Sequence, residues 1–240
     1  MQNPIRIFIG TSANGEDAEA EITLEYTLKK NCKELIQIEW MRQSKDTNSI
    51  WNGWKTNNWS TPFSGFRWGI VEACNFEGRA IYMDVDIVNL HDISELFNTD
   101  MKGKPVLGKP YNTRVEMSVM LIDCAEMQKH TPSLESLKLH NNVPQFMTQK
   151  INNIAGKYDT RWNVIDGENY KIDEMYNLHF SKMSSQPWHP KWFTGQAQSH
   201  ARPELQKLWF DLRDEAKAMG YNPAIDYEPF GKYDIVGNIK

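Results

Sequence analysis

Asp84 and Asp86, in the stretch GRAIYMDVDIVNLHDISELF over residues 78–97, are the pair whose types and spacing could do chemistry. Two adjacent carboxylates repel and accept a cation between them. Oxygen ligands suit Mg²⁺ or Mn²⁺, and such an ion holds a phosphate-bearing substrate. Ala80, Ile81, Tyr82 and Met83 precede the pair as a short apolar run, the pattern of a strand buried on both faces. If the chain stays extended through Asp84-Val85-Asp86, the two carboxylates share one side and Val85 takes the other. The pair then stands at the C-terminal end of a buried strand, where open α/β sheets bind ligands. A bare Asp-x-Asp is a weak signal, because most such triplets are solvated turns. Here a second apolar segment, with Ile87, Val88 and Leu90, follows directly.

The elements that would position this pair are readable from both sides of it. Residues 5–9 (IRIFI) predict a first buried strand, residues 10–15 a turn of small residues, and residues 16–30 a helix. That helix opens on Glu16, Asp17, Glu19 and Glu21 and closes on Lys29 and Lys30, complementing its dipole. Strand, small-residue turn and helix open a nucleotide-binding α/β unit. The turn is neither a dinucleotide fingerprint nor a P-loop, and on spacing alone an ordinary βα turn reads equally well. Further strands are expected over 35–40, 105–108 and 119–122. Helices are expected over 64–74, over 144–156 with Gly156 as the stop, and over 203–219. The polar segment 41–61 carries Trp51, Trp54 and Trp59. These either fold back as a satellite cluster or line an acceptor groove or lid.

With 240 residues the chain can bury one sizeable core, and 40% hydrophobic with 24% charged residues is ordinary globular composition. A net charge of −4, without a Lys/Arg-dense run, argues against a nucleic-acid binder. No stretch is apolar and long enough to predict stable membrane insertion, and the N-terminus lacks a secretory apolar core. Cys32, Cys74 and Cys124 are odd in number and dispersed, so they read as reduced core thiols, and a cytoplasmic protein is expected. Nine tryptophans and nine tyrosines add weak support for a sugar substrate, because sugars stack on aromatic faces. One α/β domain over residues 1–240 is expected, with helices around a mixed, mostly parallel sheet and the 190–240 helix and tail packed on it.

The Asp84-Val85-Asp86 region, together with His179 and Pro187-Trp188 far downstream, resembles the family 8 glycosyltransferases, the glycogenin-like and lipopolysaccharide galactosyltransferase-like enzymes. The resemblance spans most of the chain, from Ile5 to Trp188. It implies a GT-A fold, a single Rossmann-like domain, and transfer of a hexose from a UDP-sugar with retention of anomeric configuration. It implies His179 as the third ligand of a metal held by Asp84 and Asp86. Nitrogen plus two carboxylates fits Mn²⁺ better than the alternative, Mg²⁺. By position in the family, Ile9, Gly10, Thr11 and Ser12 correspond to the segment that cradles the nucleobase and ribose. Arg67 corresponds to an arginine on the donor sugar or its phosphate, a role its planar fork of donors suits. Gln149 corresponds to half of an Asp-Gln pair near the anomeric carbon, and Asn163 belongs to a matching Arg-aromatic-Asn segment.

Departures from the family pattern are specific. Thr11-Ser12 stands where an Asp is common, Glu116-Met117-Ser118 where Asn-x-Gly touches the sugar, and Thr148 where the carboxylate of the Asp-Gln pair belongs. Gln186 occupies the place of a lysine that reaches the diphosphate, and Lys182, inside a longer loop, is expected to supply that charge. The metal would neutralise the departing diphosphate. Two other readings stand beside this one. A non-catalytic nucleotide-sugar binder is motivated by Thr148 and Gln186. A glycoside hydrolase would use two carboxylates roughly 5–5.5 Å apart without a metal. The acceptor, whether a glycan, a lipid-linked glycan or a protein, is not readable.

Overall fold

In the computed structural model, which describes residues 3–222 and 230–236, nine strands form two sheets. The large sheet holds β1 (Ile5–Gly10), β2 (Ile36–Met41), β3 (Arg79–Asp84), β5 (Val106–Tyr111), β6 (Arg114–Asp123) and β7 (Gly156–Lys157), in the order β2-β1-β3-β6-β5-β7. It is parallel through β2, β1 and β3, antiparallel at β3–β6 and β6–β5, and parallel again at β5–β7. This is the mixed, mostly parallel sheet expected. The small sheet holds β4 (Ile87–Asn89), β8 (Val164–Ile165) and β9 (Asn177–His179), in the order β4-β9-β8.

The central strands have continuous apolar runs because both faces are covered: Ile7, Ile9 and residues 80–83 are fully buried. The helices are α1 (Ala18–Asn31), α2 (Ile70–Ala73), α3 (Ser94–Phe97), α4 (Cys124–Gln128), α5 (Leu134–Leu139), α6 (Val143–Ile151) and α7 (Pro203–Ala218). Helix α7 packs on α1, burying Leu205 and Trp209. No helix among the described residues is long and apolar enough to cross a membrane.

Several boundaries differ from the sequence expectation. Strand β3 ends at Asp84, and Val85 and Asp86 form a turn into β4, so the two carboxylates are brought together by a turn and not by strand alternation. The helix expected over 64–74 is a 3₁₀ turn, Phe66–Gly69, followed by one α-turn. Gly65 precedes it because the Trp59 ring fills the place of its side chain, within 2.2 Å of where a Cβ would sit. Helix α6 stops at Ile151, and Gly156 is a strand residue paired with Leu107. A Cβ there would meet Leu107 at 2.5 Å, so glycine permits close strand approach and does not end a helix.

The tryptophans of segment 41–61 form a packed cluster. Trp51, Trp54 and Trp59 each meet Phe66 edge-on, with ring centroids 5.5, 5.5 and 5.1 Å away. All three are buried, which answers the choice between cluster and groove in favour of the cluster. The 223–229 and 237–240 parts of the expected C-terminal tail lie outside the described residues.

Candidate functional site

The β3–β4 turn and the end of β9 meet at the junction of the two sheets. Pairing of Ile87 with His179 across β4 and β9 sets the histidine beside Asp86. Single ligand atoms from Asp84, Asp86 and His179 all lie within 4.8 Å of one another. His179 Nε2 lies 3.3 Å from Asp86 Oδ1, an ion-pair contact without hydrogen-bond alignment, and no other donor among the described residues reaches that buried oxygen. A buried carboxylate oxygen without a donor is costly unless a cation meets it. Two carboxylates and one imidazole, with that oxygen orphaned, fit a divalent ion of the Mg²⁺/Mn²⁺ class.

The surrounding charges are arranged around this group. Arg67, on the 3₁₀ turn, donates from Nη2 to Asp84 Oδ1 at 3.0 Å, and its guanidinium lies 4.4 Å over the Tyr82 ring. The Tyr82 hydroxyl also donates to Asp84. Burial pushes the Asp84 carboxyl up to about 6; Arg67 opposes the shift and Asp86 adds to it. For His179 burial favours the neutral ring, but Asp86 outweighs it with help from Glu116 and Asp84, raising the imidazole to about 9.

Asp84, Asp86 and His179 line a cavity of about 540 Å³. Glu116, Ser118, Asp17, Phe63, Trp188 and Trp192 line it as well. Trp188 Nε1 donates to Asp17 Oδ1 at 3.1 Å, and its ring stacks on Trp209 at 5.0 Å. Pro187-Trp188 thus ties the cavity to α7. Asp17 is buried, and burial raises its carboxyl to about 6 against hydrogen bonds from Ser12 and Trp188.

The expected site residues divide into three groups. Arg67, Asp84, Val85, Asp86, His179 and Gln186 converge: Val85 and Gln186 line the cavity, and Gln186 Nε2 donates to Phe180 O at 2.7 Å and Asp86 Oδ2 at 3.1 Å. Ile9, Gly10, Thr11 and Ser12 are not among the residues that line the cavity. Ile9, Thr11 and Ser12 are fully buried; the Thr11 hydroxyl donates to Glu21 at 2.6 Å and the Ser12 hydroxyl to Asp17. Gly10 accepts from Val85 N at 3.1 Å, and a Cβ on it would meet Phe63 at 2.8 Å. Asp17 is the member of this loop region that lines the cavity.

Lys182 is exposed and bonded to Gln198 at 3.0 Å, so it does not line the cavity. Gln149 is exposed on α6 and, with Thr148, opens on a separate cavity beside Arg114. Asp17 and Asn163 were not singled out as functional from sequence. Asp17 reads there as one acid of a helix start, and its only further signal is its place just after the small-residue turn.

No family model matches the sequence, and no curated protein is similar to it in sequence. Solved structures match it in fold. The bifunctional glycosyltransferase WbbM, in its apo form, superposes on 91% of this chain with a TM-score of 0.64 at 10% identity; the chain spans 52% of WbbM's length. The galactosyltransferase LgtC, in complex with donor and acceptor sugar analogues, matches 88% of this chain and 96% of its own, with TM-score 0.59 and 10% identity. The glycosyltransferase GlyE of Streptococcus pneumoniae TIGR4 matches 93% of this chain and 66% of its own, with TM-score 0.60 and 12% identity. The chain therefore has the GT-A glycosyltransferase fold, as the motif resemblance implied.

Proposed function

We propose that this chain is a retaining glycosyltransferase that moves a hexose from a UDP-sugar to an acceptor that is a glycan, a lipid-linked glycan or a protein. The observation that carries the reading is the convergence of Asp84, Asp86 and His179, from distant segments, on one cavity with Asp86 Oδ1 receiving no aligned hydrogen bond. Such a trio in a GT-A fold supports a metal-held diphosphate. LgtC, solved with donor and acceptor sugar analogues, lends support through its shared fold.

Asp84, Asp86 and His179 would hold Mn²⁺, which supplies neutralisation of the charge that builds on a departing diphosphate. Arg67 fixes Asp84 in place and adds positive charge behind it. Gln186 orients Asp86 through its second oxygen. Phe63, Trp188 and Trp192 add aromatic rings to the lining of the same cavity, which exclude water and suit a sugar or base ring.

A second reading, a nucleotide-sugar binder without transfer, is favoured by the outward Lys182 and by Gln149 opening on another cavity. Calorimetric titration of UDP with Mn²⁺ and with EDTA, beside Asp86→Ala, tests the site. Metal-dependent binding lost in the variant is expected. No binding under either condition overturns the UDP reading. Transfer from UDP-hexoses, followed by NMR of the product anomer, then separates transferase from binder and tests retention. Cleavage of a glycoside to free sugar, unaffected by EDTA, would instead point to a hydrolase.

A further inference from the structure

A histidine ligand presents one ring nitrogen to its metal, and the partner of the other nitrogen decides which. His179 Nε2 faces Asp86. Its Nδ1 faces two groups that could each donate or accept: Asn163 Oδ1 at 3.0 Å and Ser118 Oγ at 3.1 Å. The group that settles their roles is Glu116.

An ionised carboxylate only accepts. Glu116 takes the Ser118 backbone N–H at 2.9 Å, the Ser118 hydroxyl at 2.6 Å and the Asn163 side-chain amide N–H. Serine has one hydroxyl hydrogen, and here Glu116 receives it. Ser118 Oγ therefore meets His179 with a lone pair, while also accepting from Asn163 Nδ2 at 3.0 Å. Asn163 has its amide N–H₂ turned to Glu116 and Ser118, so its carbonyl faces the ring. Both neighbours of Nδ1 are thus acceptors, and Nδ1 must carry the hydrogen. Ser118, Asn163 and His179 are all buried, so these groups have chiefly one another as partners. The relay draws on three elements: Glu116 and Ser118 share one face of β6, Asn163 closes a 3₁₀ turn, and His179 ends β9.

We propose that Glu116 is a positioning residue that, through Ser118 and Asn163, holds a hydrogen on His179 Nδ1 and so leaves Nε2 as the nitrogen that gives up its proton to a divalent cation. The inference rests on the metal reading above and adds a role for the Glu116-Met117-Ser118 segment. In place of a small neutral Asn-x-Gly, this chain has a carboxylate and a hydroxyl that serve the histidine.

Glu116→Gln tests it, because the amide keeps the shape and introduces a donor at the end of the relay. Mn²⁺ affinity, read from the electron paramagnetic resonance signal of free Mn²⁺, is expected to fall about tenfold to a hundredfold. Thermal melting without metal checks the fold. In ¹⁵N-histidine-labelled wild type loaded with diamagnetic Cd²⁺, His179 is expected to coordinate through Nε2 with a slowly exchanging Nδ1–H. That proton signal is expected to weaken in Glu116→Gln. If that variant does not fold, Ser118→Ala, which leaves the Glu116–Asn163 pair in place, is expected to weaken Mn²⁺ several-fold. Wild-type affinity in the folded variants, or coordination through Nδ1 in the wild type, overturns the proposal alone. A wild type with no affinity for Mn²⁺ or Cd²⁺ overturns it together with the metal reading.

Discussion

Asp17 shows how one buried carboxyl couples the loop after β1 to the Pro187-Trp188 segment. Its oxygens receive Ser12 and Trp188, yet burial prevails and raises it from 3.8 to about 6. A raised acid binds its proton more tightly in the folded state than in the unfolded chain. Its contribution is therefore full below about pH 4 and is lost as pH climbs through about 6. Two units at about 1.4 kcal/mol each come to roughly 3 kcal/mol. The stability advantage of wild type over Asp17→Asn is expected to shrink by about that amount between pH 4 and pH 7. Urea unfolding of both proteins across that range measures it; a difference independent of pH would show that Asp17 titrates normally. Arg67 is the contrasting case at this scale. Its pairing with Asp84 leaves a buried carboxylate opposed by a cation, and the guanidinium is held by Tyr82 as well.

At the scale of elements, the 3₁₀ turn that carries Arg67 is held in place by the tryptophan cluster. Trp59 is fully buried and lies where a side chain on Gly65 would project. Gly65→Ala is expected to cost about 1–3 kcal/mol through overpacking and to displace the turn. Chemical denaturation reads the first effect, and weaker donor binding reads the second. Unchanged stability would mean that the Trp59 ring has room to move. The sequence offers this cluster only as one of two readings, because three tryptophans at irregular spacing among polar residues carry no period to decide between cluster and groove. Strand β3 is legible for the opposite reason: burial on both faces leaves an unbroken apolar run, and the acids that end it stand out. Gly156 misleads because a glycine after an apolar-periodic helix has the same signature whether it caps the helix or admits a neighbouring strand. His179 was placed through its motif, whereas its relay was not. Glu116, Ser118 and Asn163 become neighbours only when β6, the 3₁₀ turn and β9 are assembled.

At the scale of the whole molecule, the candidate metal centre sits where two sheets join. Asp84 ends the large sheet, Asp86 lies in the turn that leaves it, and His179 belongs to the small sheet. The C-terminal segment adds a second tie on the same side. The Tyr233 hydroxyl accepts from the backbone N–H groups of Ala13 and Asn14 at 2.8 and 2.9 Å, and Val236 reaches the cavity wall. An ion bound by all three ligands would cross-link the sheets in the folded state alone, so its binding free energy adds to stability. At a Mn²⁺ concentration of 100 times Kd the gain is about 2.7 kcal/mol, a rise in Tm of about 5–10 °C for a chain of this size. EDTA is expected to reverse the rise. His179→Ala is expected to abolish it while melting cooperatively without metal, because β4 and β9 are joined by backbone hydrogen bonds that the substitution leaves intact. Differential scanning calorimetry with and without Mn²⁺ makes the comparison. An equal rise in wild type and His179→Ala would mean that the ion binds elsewhere. A rise confined to the wild type would locate it at the junction, where one ligand set joins the two sheets to the cavity.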